Sequence, residues 1–165
     1  MAEYGEVKAS KRRSVYLETT IPGYLAAGPM HDVVAAAHQQ ITQEWWKEAG
    51  ANFDLFVSEA VLEEIRAGDQ AFAAQRLEMM KDLPILALTD EVRDLVQVYN
   101  RRLGLPADAV VGGIHIAFAV AYELDYLVTW NCKHIANGRI IHRLAAIHRK
   151  VRRPNSVIVT PEQLF

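Results

Sequence analysis

VYLETTIPGYL, from Val15 to Leu25, opens as a buried β-strand and stops on a carboxylate. Val15, Tyr16 and Leu17 form a continuous apolar run, the pattern of a strand covered on both faces. Glu18 follows at once, then Thr19, Thr20, Ile21 and Pro22. Comparable short runs recur along the chain. They predict strands over Ser14–Glu18, Phe53–Ser58, Pro84–Leu88, Tyr126–Trp130 and Ser156–Thr160. Helical patterns lie between them: Asp32–Ala49, a helix capped by Ser58 with Val61, Leu62 and Ile65 on its inner face, and Gln70–Leu83. Asp90–Leu103 is capped by Thr89 or Asp90 and closed by Gly104. Pro106 opens Ala107–Glu123, and the last helix covers Gly138–Lys150. This alternation predicts a three-layer α/β/α domain around a mostly parallel sheet of about five strands, joined by right-handed crossovers. Ligands of such sheets gather at the carboxyl ends of the strands, where strand order reverses. Glu18 and Asn131 both stand at such ends, so the acid faces a crevice rather than the core.

The 165 residues suffice for one domain with a proper core, and the net charge of −2 selects no partner class. Its distribution is more informative. No acid occurs from Ala136 to Pro161, a stretch holding Arg139, Arg143, Arg149, Lys150, Arg152 and Arg153. Lys8, Lys11, Arg12 and Arg13 precede the first strand, and residues 1–13 are expected to form a flexible basic arm on a single domain spanning 1–165. Cys132 is alone, so no internal disulfide is open to it. No run approaches the ~20 apolar residues of a membrane span. A cytoplasmic protein without membrane contact is expected.

Several common chemistries are disfavoured. No glycine-rich turn follows the first strand to cradle phosphate. No G-x-S-x-G elbow is present. The Cys132–His134 spacing is too short for a zinc signature, and Cys132 reads as packing. A carboxylate flanked by hydroxyls suits a hard cation such as Mg²⁺, which favours oxygen ligands. Equally, Glu18 suits a cap on the next turn through the amides of Thr19 and Thr20. The strand alone leaves both readings open.

VYLETTIPGYL, VSEAVLEEIRAGD and IHIAFAVAYELDYLVTWNCKHIAN stand in the order and register of PIN-domain proteins. The chain resembles the VapC-type toxin ribonucleases, in the subgroup whose first strand ends Y-L-E-T-T-I-P. The resemblance runs from about Val15 to the closing VIVTPEQLF. It implies an endoribonuclease using Mg²⁺ or Mn²⁺, held by three or four acids at the carboxyl edge of the sheet. It also implies RNA and a cognate antitoxin protein as partners, and a homodimer is expected. Glu18 falls on the first acid position. EEIRAG places Glu64 on the second, with Glu63 its neighbour on another helix face. Asn131 falls on the position after strand four. The third position departs: Gly112 stands where the family has Asp, and VVGGIHIA holds no acid. Asp108 lies one turn earlier, either as a substitute ligand or as a first-turn acid favoured by the helix dipole. Two carboxylates and an amide make a weaker cation site. The alternative is therefore a degenerate PIN-fold module that binds RNA or protein without cutting. An Asp at position 112 is expected to restore the site unless a neighbour packs too closely against Gly112.

Other residues have two readings each. His115, three residues after Gly112 on one helix face, either contacts substrate as a proton relay or packs as a core histidine. Thr19 and Thr20 either hold the Glu18 carboxylate or cap a turn, and Thr19 is a substrate-side candidate. Arg143, Arg149, Arg152 and Arg153 either meet phosphate or form a solvated face. At least one of Trp45 and Trp46 must leave its helix's own core stripe.

Overall fold

The computed structural model describes residues 11–104 and 110–165. The elements run β1 (Arg13–Leu17), α1 (Thr20–Ala26), α2 (Val33–Asn52), β2 (Phe53–Ser58), α3 (Glu59–Ala67), α4 (Gln70–Met80) and β3 (Ile85–Leu86). They continue with α5 (Asp90–Leu103), α6 (Val110–Ala121), β4 (Tyr126–Val128), α7 (Gly138–Val151), β5 (Val157–Val159) and a final 3-10 turn at Pro161–Leu164. The five strands form one sheet in the order β3-β2-β1-β4-β5, and every pairing is parallel. Right-handed crossovers then place α1–α4 on one face and α5–α7 on the other. The packing agrees: α1 meets α2 and α4, while α5 meets α6 and α7. This is the three-layer α/β/α architecture expected, with the sheet parallel throughout.

The helix starts follow the sequence closely. Asp32, Ser58, Asp69, Thr89 and Asn137 each accept a backbone N–H from the first turn they precede. Gly104 ends α5 in the left-handed region at φ 57°. The short helix α1 has no counterpart in the sequence reading. It starts on Thr20, has Pro22 and Gly23 within seven residues, and lacks an amphipathic period long enough to read. Its Ile21 and Pro22 are buried, so tertiary packing supports it.

Two expectations shift. Arg12 and Arg13 belong to the fold rather than to an arm: Arg13 begins β1 and pairs with Asp125, and Arg12 pairs with Asp54 at 2.6 Å. Cys132 is exposed, so it does not pack. Asp108, the substitute acid, lies outside the described residues. Of the tryptophan pair, Trp45 is buried in the core and Trp46 is half-buried beside it.

Strand order reverses at β1, which pairs with β2 on one side and β4 on the other. The ladder runs one residue beyond β1, where Glu18 N–H donates to Val128 O at 3.1 Å. That contact fixes the Glu18 backbone at the carboxyl mouth of the sheet, at the reversal point.

Candidate functional site

Strand alternation puts Tyr16 and Glu18 on the same face. That face is covered by α6, whose Phe118 ring stacks on Tyr16 with centroids 6.2 Å apart. Glu18 is 4% exposed, a buried acid that needs internal partners. Its Oε2 has three: Thr20 N–H at 3.1 Å, Thr20 Oγ1 at 2.6 Å and Thr129 Oγ1 at 2.7 Å. Thr20 Oγ1 in turn accepts from Trp130 N, and Thr129 Oγ1 from Asn131 N, tying the segments after β1 and β4 together. The two readings of Glu18 are therefore not rivals. Oε2 caps the turn, while Oε1 has no hydrogen bond among the described residues.

Glu64 arrives from α3, behind β2. Its Oε1 lies 2.8 Å from His115 Nε2. His115 Nδ1 lies 2.7 Å from Tyr16 OH, which lies 2.7 Å from Ser58 Oγ. Ser58 Oγ also accepts the Val61 amide as the cap of α3. With Glu64 ionised, one arrangement gives every proton an acceptor. Ser58 donates to Tyr16, Tyr16 to Nδ1, and Nε2–H to Glu64. The chain is buried up to His115, with Tyr16 and Ser58 fully buried and His115 1% exposed, and reaches solvent at Glu64.

The titrations follow. Burial pushes the Glu64 carboxyl up, but the His115 hydrogen bond and charge, with the Thr19 hydroxyl, outweigh it and bring it below its ordinary value. Burial pushes the Tyr16 phenol well above its ordinary value; the Ser58 contact opposes this, and the charges of Glu18 and Glu64 add to it. Tyr16 is thus a fixed donor near neutral pH and Glu64 an ionised carboxylate.

One ligand atom from each of Glu18, Glu64 and His115 falls within 4.8 Å of the others. Thr19 Oγ1 is buried against the Glu64 carboxylate, close enough to lower its pKa though outside strict hydrogen-bond geometry. Two acids beside an imidazole, one with a carboxylate oxygen free of hydrogen bonds among the described residues, suit a divalent cation, since both carboxylates have lone pairs that the protein leaves unused.

The remaining candidates are placed as follows. Asn131 stands at the mouth, with Oδ1 accepting the His134 amide at 2.9 Å. Its amide NH₂ is the group left to face a ligand. Gly112 packs against the segment after Asn131: a Cβ there would lie 3.1 Å from Ile135 Cγ1 and 3.4 Å from His134 O. Arg143 donates to Arg102 O at the end of α5, and Arg153 pairs with Glu91. Arg149 and Arg152 are exposed at the end of α7. That helix starts beside the mouth and runs back to β5, so its last turn lies toward the opposite edge, about 20 Å along the axis. The sequence reading missed Tyr16, Ser58 and Thr129 as site residues. The signal available was positional: Tyr16 two residues before the acid, Ser58 at a strand-to-helix cap, and Thr129 two before Asn131.

A scan against protein-family models gives no match, and a search of curated proteins gives none. Among solved structures, the chain is similar to one in the crystal structure of VapBC2 from Rickettsia felis bound to a DNA fragment from their promoter. The TM-score is 0.56 at 15% identity, over 88% of this chain and 97% of that one. At that identity the likeness is one of fold: the chain has a PIN-like α/β fold. Among the described residues, no helix is long and apolar enough to cross a membrane.

Proposed function

We propose that this protein is a metal-dependent nuclease of the PIN type, acting on RNA in the manner of a VapC toxin. The observation that carries the reading is the convergence of Glu18 and Glu64. They arrive from separate strand-following segments, at the reversal point of the sheet, with unused oxygen lone pairs. Glu18 is a buried acid beside a half-buried one, an arrangement that a cation between them would compensate. Glu18 and Glu64 would hold Mg²⁺ or Mn²⁺. When bound, such an ion activates water and offsets charge on the scissile phosphate. Thr20 and Thr129 orient Glu18 through Oε2 and leave Oε1 for the ion. His115 orients Glu64. The Asn131 NH₂ donates to a phosphate oxygen, and the Thr19 hydroxyl helps orient Glu64. A cognate antitoxin protein and a homodimer are the partners this reading entails.

Glu18→Gln retains shape and removes charge. Mn²⁺ affinity and RNA cleavage should both be lost while the far-UV circular dichroism is unchanged. Unaltered Mn²⁺ affinity would exclude the metal role of Glu18. Gly112 favours a second reading, a PIN-fold module that binds RNA or protein without cutting it, because position 112 supplies no carboxylate. Absence of cleavage at saturating Mn²⁺, with RNA still bound, decides for that module.

A further inference from the structure

We propose that His115 Nε2 supplies the third ligand of the cation site, in place of the carboxylate absent at position 112. The site thereby selects a first-row transition ion over Mg²⁺. The inference rests on Glu18 and Glu64 being metal carboxylates, and it adds what completes them.

Gly112 and His115 lie one turn apart on α6 and share a face. Position 112 has no room for a side chain without displacing Ile135, which is fully buried. His115 is the residue of α6 that reaches Glu64, at 2.8 Å. Two ligands bound side by side to an ion with ~2.1 Å bonds stand about 3 Å apart, so this pair already has near-coordinating spacing. An imidazole that binds metal through one nitrogen is held through the other, and Tyr16 OH holds Nδ1 at 2.7 Å.

The proton moves without loss or gain. Without an ion, Nε2–H donates to Glu64 and Nδ1 accepts from Tyr16. With an ion on Nε2, the ring takes its other tautomer, Nδ1–H donates to the Tyr16 oxygen, Tyr16 turns its proton toward Ser58 Oγ, 2.7 Å away, and the Ser58 hydroxyl turns its own proton off Tyr16. Tyr16 serves both states because a phenol both donates and accepts. A core histidine satisfied by Glu64 and Tyr16 would leave Glu18 Oε1 without use; an ion held between the three side chains engages it. Ligand chemistry sets the ion. Mg²⁺ demands an oxygen shell and keeps its waters, whereas imidazole suits the later first-row ions, Fe²⁺ through Zn²⁺.

The test uses the intact chain with Mg²⁺, Mn²⁺ or Co²⁺ alone, without RNA. Calorimetric titration should give a Kd for Co²⁺ about tenfold or more below that for Mg²⁺. Electron spin echo spectroscopy of the Mn²⁺ protein should show the nitrogen modulation of a directly bound imidazole. His115→Gln should lose both the modulation and the preference, and the wild-type spectrum decides the question even if that variant folds poorly. If Mn²⁺ binds, depends on Glu18, and shows no bound nitrogen, His115 is not a ligand and the carboxylate reading stands. If Mn²⁺ does not bind, or binds equally to Glu18→Gln, both readings are overturned.

Discussion

Three helical glycines allow a test of how tightly α6 is pressed against the site. Gly23 in α1 and Gly50 in α2 have nothing within 4 Å of where a Cβ would stand. Gly112 in α6 would place its Cβ 3.1 Å from Ile135 Cγ1. Replacing Gly by Ala in a helix gains about 0.5–1 kcal/mol, because the backbone loses less freedom on folding. Forcing a methyl into a packed site costs about 1–3 kcal/mol. Ile135 has little room to yield: it is fully buried, its N–H donates to Asn131 O at 3.0 Å and its carbonyl accepts from Asn137 at 2.8 Å. Gly23→Ala and Gly50→Ala should therefore stabilise the protein by about 0.5–1 kcal/mol each. Gly112→Ala should destabilise it by about 1 kcal/mol, a loss of roughly 2–4 °C in Tm for a chain of this size. Urea unfolding followed by circular dichroism reads all three. In an Ile135→Ala background, which removes Cγ1, Gly112→Ala should change sign and become stabilising. A Gly112→Ala protein as stabilised as the other two would refute the crowding argument. It would also reopen Gly112→Asp as a simple restoration of the family's carboxylate, which the same 3.1 Å contact now makes costly.

Tyr16→Phe leaves Ser58 and His115 each short of a partner. Unfolding should become easier by about 1–3 kcal/mol, and Mn²⁺ affinity should fall about tenfold or more if His115 is a ligand. His148 is buried between Tyr99 OH at 2.7 Å and Asn155 Oδ1 at 2.5 Å, and burial lowers its pKa against the opposing Asn155 contact. The unfolded chain then takes up a proton that the folded one refuses. Stability should fall as pH drops below about 6.5, by at most ~1.4 kcal/mol per unit, and level off below the folded pKa. Urea titrations from pH 7 to pH 5 should show that slope in wild type and lose that component in His148→Gln. For RNA, changing Arg149 and Arg152 together to Gln should flatten the log affinity against log salt slope by about 1.4 if each meets a phosphate of a single strand. Fluorescence anisotropy across a salt series measures it, and an unchanged slope makes the tail of α7 a solvated face.

The alternation of apolar runs with capped helices was sufficient to specify a parallel sheet, because strands covered on both faces and Ser, Thr and Asp caps are local signals. Glu18 was legible for the same reason: an acid at the end of a buried run has to face a crevice. Helix α1 was not legible, since seven residues containing Pro22 and Gly23 have no period of their own and depend on burial of Ile21. The site depended still more on tertiary structure. Glu18 and Glu64 are 46 residues apart in number, and nothing local says that Glu64, rather than Glu63, turns toward His115. The bonds Tyr16–His115 and Thr129–Glu18 span 99 and 111 residues. Such contacts form only when the β2-β1-β4 order brings three separate segments to one mouth. Gly112 shows the same division: sequence names a missing acid, while the 3.1 Å approach of Ile135 Cγ1 makes a side chain there costly.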